Sequence, residues 1–150
     1  MILVGIDGSE VAQRALVAAA REAELRGEQL RIVCAWQAPA PIYAGGYVPN
    51  LDGPREEMRR SAEKLAEDAV AAVEAIAPGI SCTGEAVEGV AAQTLIERSR
   101  YASLLVVGHR GRGGFKSLML GSVSQQVVHH AHCPVLVVRR PADGAVELAA

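Results

Sequence analysis

The sequence predicts a single α/β domain, doubly wound around a five-stranded parallel sheet with helices on both faces. Short apolar runs alternate with segments of helical periodicity along the 150 residues, which gives the pattern βαβαβαβαβ. Several of these runs are continuously apolar, as is typical of parallel strands covered on both faces. Half of the residues are hydrophobic, which is enough for one sizeable core. We therefore assign residues 1–141 to one domain and expect residues 142–150 to form a frayed tail.

The first helix and the strands on either side of it have clear boundaries. Met1–Ile6 is apolar and ends at the turn Asp7–Ser9, whose serine is a suitable N-cap. The first helix is predicted over Glu10–Arg26, with Gly27 as its stop. The second strand, Leu30–Trp36, is apolar enough to be buried on both faces.

A long loop and a long helix follow. Prolines and glycines over Pro39–Gly53 predict an extended loop, and its two tyrosines suit either an ordinary surface loop or a cover over a bound base or ribose. The second helix is predicted over Arg55–Ala77, with Pro54 at its first position. Its predicted apolar face consists of Met58, Ala62, Leu65, Ala69, Ala72, Val73 and Ile76.

The remaining elements alternate in the same way. We predict a half-buried strand over Ile80–Val87, a helix over Glu88–Arg100 and a strand over Ser103–Val107. The last helix is predicted over Ser122–His132 and the last strand over Val135–Arg139.

A glycine-rich loop between the fourth strand and the last helix is the strongest functional feature of the sequence. It spans Gly108–Ser124 and contains the cations His109, Arg110, Arg112 and Lys116. Backbone N–H groups approach an anion closely in such a loop because glycine has no Cβ and adopts positive φ, which we expect of the glycines here. The following helix adds donors and a positive dipole end. The alternative is a tight turn that only starts the helix. Four nearby cations favour a phosphate site.

The position of this loop also predicts the strand order. In open α/β sheets, ligands bind beyond the carboxyl ends of the strands, at the point where the strand order reverses. Two loops carry residues suited to a ligand, Asp7–Ser9 after the first strand and Gly108–Gly121 after the fourth. We therefore expect these two strands to be neighbours, which gives the order 3-2-1-4-5.

Several other functional motifs are excluded by spacing. A P-loop requires glycine immediately before Lys-Ser, but Phe115 precedes Lys116, and the dinucleotide fingerprint fails at Lys116 as well. The sequence after Gly121 lacks the final glycine of a nucleophile elbow. The histidines of the last helix have no carboxylate at ligand spacing, and the three cysteines form no Cys-x-x-Cys pair. We therefore predict no metal site and reduced, buried thiols.

The spacing of the glycines resembles a known signature. Gly108-x-x-Gly111, nine intervening residues and then Gly121-Ser122 is similar to the ATP-binding signature of the universal stress protein family, and every fixed position matches. The resemblance extends from the first strand to Cys133–Val138 and covers nearly the whole chain. It implies the same strand order and the fold of the adenine nucleotide alpha hydrolase-like proteins.

The resemblance also implies which residues bind nucleotide. From the residues alone, Asp7 is equally suited to a ligand or to a turn before the first helix, and the family favours the ligand. By alignment with that family, the backbone of Ala35 would face the adenine edge, and Gly108 and Gly111 would run beside the ribose and phosphates. The N–H groups opening the last helix would meet the phosphates, while Ser122 also suits a plain N-cap. The full predicted set is Asp7, Gly8, Ser9, Ala35, Gly108, Gly111, Arg112, Gly121, Ser122, Val123 and Ser124.

Charge and composition limit the partners. The chain has 17 acidic and 15 basic residues and a formal net charge of −2, which gives no electrostatic case for a nucleic-acid binder. No apolar run reaches the length of about 18 residues that spanning a membrane requires, and no charged leader precedes the first strand. We therefore expect no membrane contact and a cytoplasmic location.

The function predicted by this resemblance is ATP binding, with or without Mg²⁺, by a cytoplasmic regulatory or stress-response module that hydrolyses ATP slowly, if at all. An apolar edge strand over Val135–Val138 predicts a homodimer, as the resemblance does, and a further protein partner stays open. One alternative is a slow ATP hydrolase or adenylyl-transferring enzyme of the same fold, but the chain is small and lacks a substrate domain. The other is a nucleotide-free dimeric scaffold, against which the complete loop argues.

Overall fold

The computed structural model describes residues 1–38, 52–111 and 120–139. Within these ranges the elements are β1 (Ile2–Gly5), α1 (Glu10–Arg26), β2 (Leu30–Trp36), α2 (Asp52–Ile76), β3 (Cys82–Glu88), α3 (Ala91–Arg98), a 3₁₀ turn (Ser99–Tyr101), β4 (Leu104–Gly108), α4 (Ser122–His130) and β5 (Val135–Val138). The predicted loop Pro39–Gly53 therefore lies outside the described residues except for its last two positions. The tail from residue 142 also lies outside them.

The five strands form one parallel sheet in the order β3-β2-β1-β4-β5, which confirms the predicted fold class and order. In the register, Val4 of β1 lies opposite Ile32 of β2 on one side and Val106 of β4 on the other. The carboxyl ends of the three central strands therefore meet at one edge of the sheet.

Helices cover both faces of this sheet. Ile2 and Val4 belong to the core cluster that includes the buried residues of α1 and α2, and Leu3 between them belongs to the cluster on the α3 and α4 side. Alternating side chains of β1 therefore serve both layers, as a strand period of two requires. The second strand is less fully covered than predicted, because Arg31 is exposed.

Helix α1 has the predicted bounds because both of its ends carry the expected caps. The Ser9 hydroxyl accepts a hydrogen bond from the Ala12 N–H at 3.2 Å, which satisfies one of the donors left over at a helix start. Gly27 ends the helix in the left-handed conformation at φ 63°. The buried face is rich in alanine, so the helix lies close to the sheet.

Helix α2 differs from the prediction at its start and along its apolar face. It begins at Asp52 rather than after Pro54, and Met58, Ala72 and Ile76 are exposed although they were predicted to be buried. The residues that are buried are Ala62, Ala66, Ala69 and Val73. A helix of this length spans about 37 Å, whereas the strands beneath it span about 23 Å, so apolar positions near its ends lie beyond the sheet.

Helix α3 begins at Ala91, three residues later than predicted. Glu88 instead ends β3, where its carboxylate forms an ion pair with Arg55 of α2 at 2.7 Å. The contact ties the first turns of α2 to the end of β3. The other boundary differences are of one or two residues, as is common at the ends of elements.

All three cysteines are thiols, and their burial varies. Cys34 is buried, whereas Cys82 and Cys133 are half-buried. Burial raises the pKa of the Cys82 thiol to about 11, with a smaller contribution from the negative charge of Glu74. Burial also raises the pKa of Cys133. The thiols of Cys82 and Cys133 therefore stay protonated near neutral pH, which makes them poor nucleophiles.

Every helix in the described ranges is either too short or too polar to span a lipid bilayer.

Candidate functional site

A cavity of about 290 Å³ opens at the carboxyl ends of β1 and β4, where the strand order reverses. This is the place at which an open α/β sheet usually binds its ligand. The predicted site residues that line it are Asp7, Ala35, Gly108, Gly111, Gly121, Ser122, Val123 and Ser124. Gly8 and Ser9 are not among the described lining residues, and Arg112 lies outside the described part of the chain.

Asp7 stands at the wall of the cavity in a fixed turn. Its Oδ1 accepts a hydrogen bond from the Ser9 N–H at 3.0 Å, and Gly8 between them adopts a left-handed conformation at φ 77°. The turn Asp7–Ser9 therefore ends at Ser9, which is also the N-cap of α1. Asp7 has the structural role of a turn residue and also faces the cavity, so its two interpretations are compatible.

Gly111 lies against the same carboxylate. A Cβ placed on Gly111 would collide with Oδ2 of Asp7, at a separation that real Cβ atoms do not show. A side chain at Gly111 would therefore force the Asp7 carboxylate to shift. The backbone conformation does not call for glycine there, because among the described glycines only Gly8, Gly27 and Gly89 have positive φ. The prediction that the loop glycines need positive φ was therefore wrong at Gly111.

The start of helix α4 also lines the cavity. Gly121 is the N-cap, with φ −72° and ψ 161°, and makes no side-chain cap hydrogen bond. The alternative of Ser122 as N-cap was wrong, since Ser122 is the first residue inside the helix. The first bond of the helix runs from the Gln125 N–H to the Gly121 carbonyl, so the three N–H groups before it have no partner within the helix. Those donors and the helix dipole favour an anion at this end.

Two hydrogen bonds hold this helix start against the end of β4. The Gly121 N–H donates to the His109 carbonyl at 2.7 Å, and the Ser124 hydroxyl donates to the Gly108 carbonyl, also at 2.7 Å. Ser124 is buried, with 3% of its surface exposed. Its hydroxyl, predicted to belong to the ligand site, is thus engaged with the protein backbone.

The floor of the cavity is apolar and was missed by the sequence analysis. Ile6, Val33, Leu95 and Val107 line it, together with Ala91 at the start of α3. Their pattern in the sequence is that of ordinary core residues, and periodicity does not separate a core position from a pocket floor. The other unpredicted lining residues are Gly5, Ala12 and Arg110, of which only Arg110 carried a signal, as one of the cations in the loop.

A wider groove of about 590 Å³ adjoins the cavity at the end of β2. It shares Asp7, Ala35 and Ala91 with the cavity, so the two spaces adjoin there. The rest of its lining is mixed, with the apolar side chains of Trp36, Met58 and Leu65 and the polar or charged side chains of Gln37, Ser61, Lys64 and Asp68.

Metal ligands are sparse in the described residues. No group of three or more His, Cys, Asp or Glu side chains within those ranges is placed to hold a metal ion. Among the described lining residues of the cavity, Asp7 is the only carboxylate. His129 and His130 are exposed on α4, with ring centroids 6.2 Å apart. A divalent ion at the cavity would depend on oxygens supplied by the ligand.

The family model described as the universal stress protein family matches residues 1–139. The chain belongs to the universal stress protein family. The family assignment drawn from the glycine spacing is thereby confirmed. Members of this family are not, in general, conventional enzymes.

A curated family member, universal stress protein Rv2005c of Mycobacterium tuberculosis, is 36% identical to this chain over 139 residues. The alignment covers 93% of the chain and 45% of the relative. The chain thus spans about half the length of the curated universal stress proteins it matches.

Solved structures of the family share the fold. Universal stress protein UspA from Lactobacillus plantarum superposes with a TM-score of 0.80 at 24% identity, over 92% of this chain and 96% of that one. A universal stress protein in complex with cAMP superposes with a TM-score of 0.60 at 25% identity, over 93% and 96% of the two chains. The first similarity confirms the doubly wound fold. The second describes a family member that binds an adenine nucleotide.

Proposed function

We propose that this chain binds an adenine nucleotide, ATP with or without Mg²⁺, in the cavity between β1, β4 and α4. The observation that carries the proposal is that one cavity is lined both by Asp7 and by the first turn of α4. A nucleotide has hydroxyl donors at its ribose, which suit the carboxylate, and negative oxygens at its phosphates, which suit the helix N–H groups.

The predicted residues receive complementary roles in this proposal. Asp7 accepts hydrogen bonds from ribose hydroxyls, and the backbone of Ala35 meets the adenine edge at the end of β2. Gly108 and Gly111 allow the ligand to run close to the loop. The N–H groups of Ser122, Val123 and Ser124 receive the phosphates, with Gly121 as the cap that leaves them accessible. Gly8, Ser9 and Arg112 remain predicted members of the site.

The second of the solved relatives supports the class of ligand. Its complex contains cAMP, which has the base, the ribose and a phosphate group in common with ATP. The choice of ATP rests on the glycine spacing of this chain, which is that of the ATP-binding signature. Magnesium would be held mainly by phosphate oxygens and water, because Asp7 is the only carboxylate among the described lining residues.

We propose further that the protein is a cytoplasmic regulatory module and not an enzyme of rapid turnover. Nucleotide binding would shift the population of its conformations or of its dimer, and thereby its contact with a protein partner. The homodimer would form through β5, the strand at one edge of the described sheet. The net charge of −2 gives no support for a nucleic-acid partner.

Mass analysis of nucleotide that copurifies with the protein, followed by calorimetric titration, tests this proposal. We expect an adenine nucleotide in the purified protein and binding of ATP after its removal. ADP and cAMP belong in the same series, and GTP is the control for recognition of the base. Absence of a bound nucleotide together with no heat of binding for any adenine nucleotide would favour the scaffold alternative.

A further inference from the structure

We propose that Ser124 is a positioning residue of the phosphate site, and that its hydroxyl acts through the backbone of Gly108. The inference rests on the proposed nucleotide function. It assigns the Ser124 hydroxyl to holding the α4 N–H groups in place, and not to a hydrogen bond with the nucleotide. It explains why a polar side chain is buried at the start of α4, at a position where an apolar residue would also pack.

The hydrogen bond of Ser124 is unusual for its place in a helix. A serine inside a helix commonly bonds to a carbonyl one turn earlier on the same helix. Here the hydroxyl reaches the Gly108 carbonyl, 16 residues away in sequence and at the end of β4. The bond therefore links the first turn of α4 to the last residue of β4, which are the two ends of the segment that carries the glycine signature.

A second bond makes this closure specific. The Gly121 N–H donates to the His109 carbonyl, one residue beyond Gly108, so the helix is fixed at two adjacent points of the β4 end. Two fixed points restrict both the distance of the helix start from the strand and its rotation. The N–H groups of the first turn are thereby held in one orientation relative to the cavity. Because these donors are already ordered, binding of an anion loses no free energy to ordering them.

Loss of the Ser124 hydroxyl would then have a selective effect. We expect Ser124→Ala to weaken the affinity for ATP by about tenfold, because the α4 donors must then be ordered as the phosphates bind, and this ordering consumes free energy that the lost hydrogen bond had supplied in advance. The affinity for adenosine should change by less than about twofold, since adenosine has no phosphate to meet the α4 donors. Calorimetric titration of wild type and variant with both ligands compares the loss of affinity for ATP with that for adenosine.

Residue-resolved hydrogen exchange in the ligand-free protein separates positioning from direct contact. Ser124→Ala should accelerate exchange of the Gly121 amide, because the bond to His109 opens more often when its neighbour is missing. The control is Ser103→Ala. The Ser103 hydroxyl donates to the Met1 carbonyl at 3.0 Å, at the amino ends of β4 and β1 and therefore at the edge of the sheet opposite to the cavity. This control should leave the Gly121 exchange rate and the ATP affinity unchanged.

Three results would overturn the inference. An unchanged ATP affinity would show that the hydroxyl has no role in binding. Equal losses for ATP and adenosine would indicate a general structural role. A loss for ATP without faster Gly121 exchange would make Ser124 a direct ligand.

If wild type binds neither ligand, the proposed function fails, and the exchange experiment still tests the contact itself. Ser124→Cys, with similar volume and a weak donor, replaces the alanine variant if that variant does not fold.

Discussion

At the scale of single residues, the contact between Asp7 and Gly111 has the clearest consequence for binding. The loop after β4 passes so close to the end of β1 that no side chain fits at Gly111 without moving the carboxylate. The glycine spacing in the sequence identified this position, but not the atom that it approaches. That atom belongs to a residue 104 positions earlier, and only the neighbouring placement of β1 and β4 brings the two together.

Gly111→Val should therefore abolish detectable ATP binding, because it displaces Asp7 and the loop at once. Gly121→Ala should have a smaller effect, within about tenfold, since a Cβ there would lie 3.3 Å from the Arg110 Cα and needs only a small shift. Calorimetric titration of the two variants measures the difference. The control is Gly79→Val, where a Cβ has no atom within 4 Å. Wild-type affinity in Gly111→Val would exclude this loop from the site.

At the scale of elements, the sequence predicted best those segments whose ends are set by local chemistry. Helix α1 has a serine N-cap and a glycine stop, and its predicted bounds are those observed. The apolar face of α2 was predicted less well, because which positions are buried depends on how far β2 and β3 extend beneath the helix. The floor of the cavity could not be predicted for a similar reason. Ile6, Val33, Leu95 and Val107 are core residues, with at most 8% of their surface exposed, and only the placement of the helices shows that they also border a cavity.

The ion pairs at the start of α2 predict a specific pH dependence. Hydrogen bonds from Arg59, and then from Arg60, lower the pKa of Glu56 from 4.5 to about 2. A carboxyl with a lowered pKa in the folded state stabilises that state above its unfolded pKa. The contribution of Glu56 to the free energy of unfolding should be complete above about pH 4.5 and should be lost as the pH falls toward 2.

NMR titration of the Glu56 carboxyl measures this directly. Arg59→Ala should raise the pKa of Glu56 toward its ordinary value, because it removes the larger of the two arginine contributions. Arg26→Ala, which removes an ion pair with Glu22 on α1, is the control and should leave the titration of Glu56 unchanged. A Glu56 pKa near 4.5 in the wild-type protein would contradict the prediction.

Strand β5 supplies a prediction about the proposed dimer. The carbonyls of Pro134 and Val138 accept bonds from the Leu105 and His109 N–H groups, so alternate residues of β5 face β4. Val137 lies between these positions, and its N–H therefore points to the free side of the strand. Val137→Pro should remove a donor needed for pairing with a second copy, without removing a bond to β4.

Light scattering at micromolar concentration is the measurement for this variant. We expect a dimer for the wild type and a monomer for Val137→Pro, with the ATP affinity retained. Leu136→Pro is the comparison, because the same change one residue earlier deletes a bond to β4 and should lower the thermal stability of the fold. A wild-type monomer, or an unchanged dimer in Val137→Pro, would exclude β5 as the interface.

At the scale of the whole molecule, the site has the groups to hold a nucleotide but few with which to hydrolyse it. Phosphoryl transfer to water needs a positioned nucleophile and stabilisation of the charge that develops on the γ-phosphoryl group. Asp7 is the only carboxylate among the described residues that line the cavity, and the proposal commits it to the ribose. Donors that bind the ground state as strongly as the transition state do not accelerate the reaction.

A single-turnover assay with magnesium should therefore show no release of γ-phosphate within seconds. Protein in excess over labelled ATP, at a concentration well above the Kd found by calorimetry, keeps nearly all of the nucleotide bound. Gly111→Val is the control for hydrolysis by a contaminant. Release within seconds that is lost in Asp7→Ala would restore the enzyme alternative. Release that persists in both variants would belong to a contaminant.

Backbone NMR reports directly on whether ATP occupies the proposed space between Asp7, Ala35 and the start of α4. On titration of ¹⁵N-labelled protein with ATP, the largest amide shifts should arise at Asp7, Ala35, Gly108, Gly111 and residues 121–124. Adenosine should reproduce the shifts at Asp7 and Ala35 but not those at the start of α4, because it lacks phosphates. Shifts confined to other parts of the chain, or none at saturating ATP, would exclude ATP from this space.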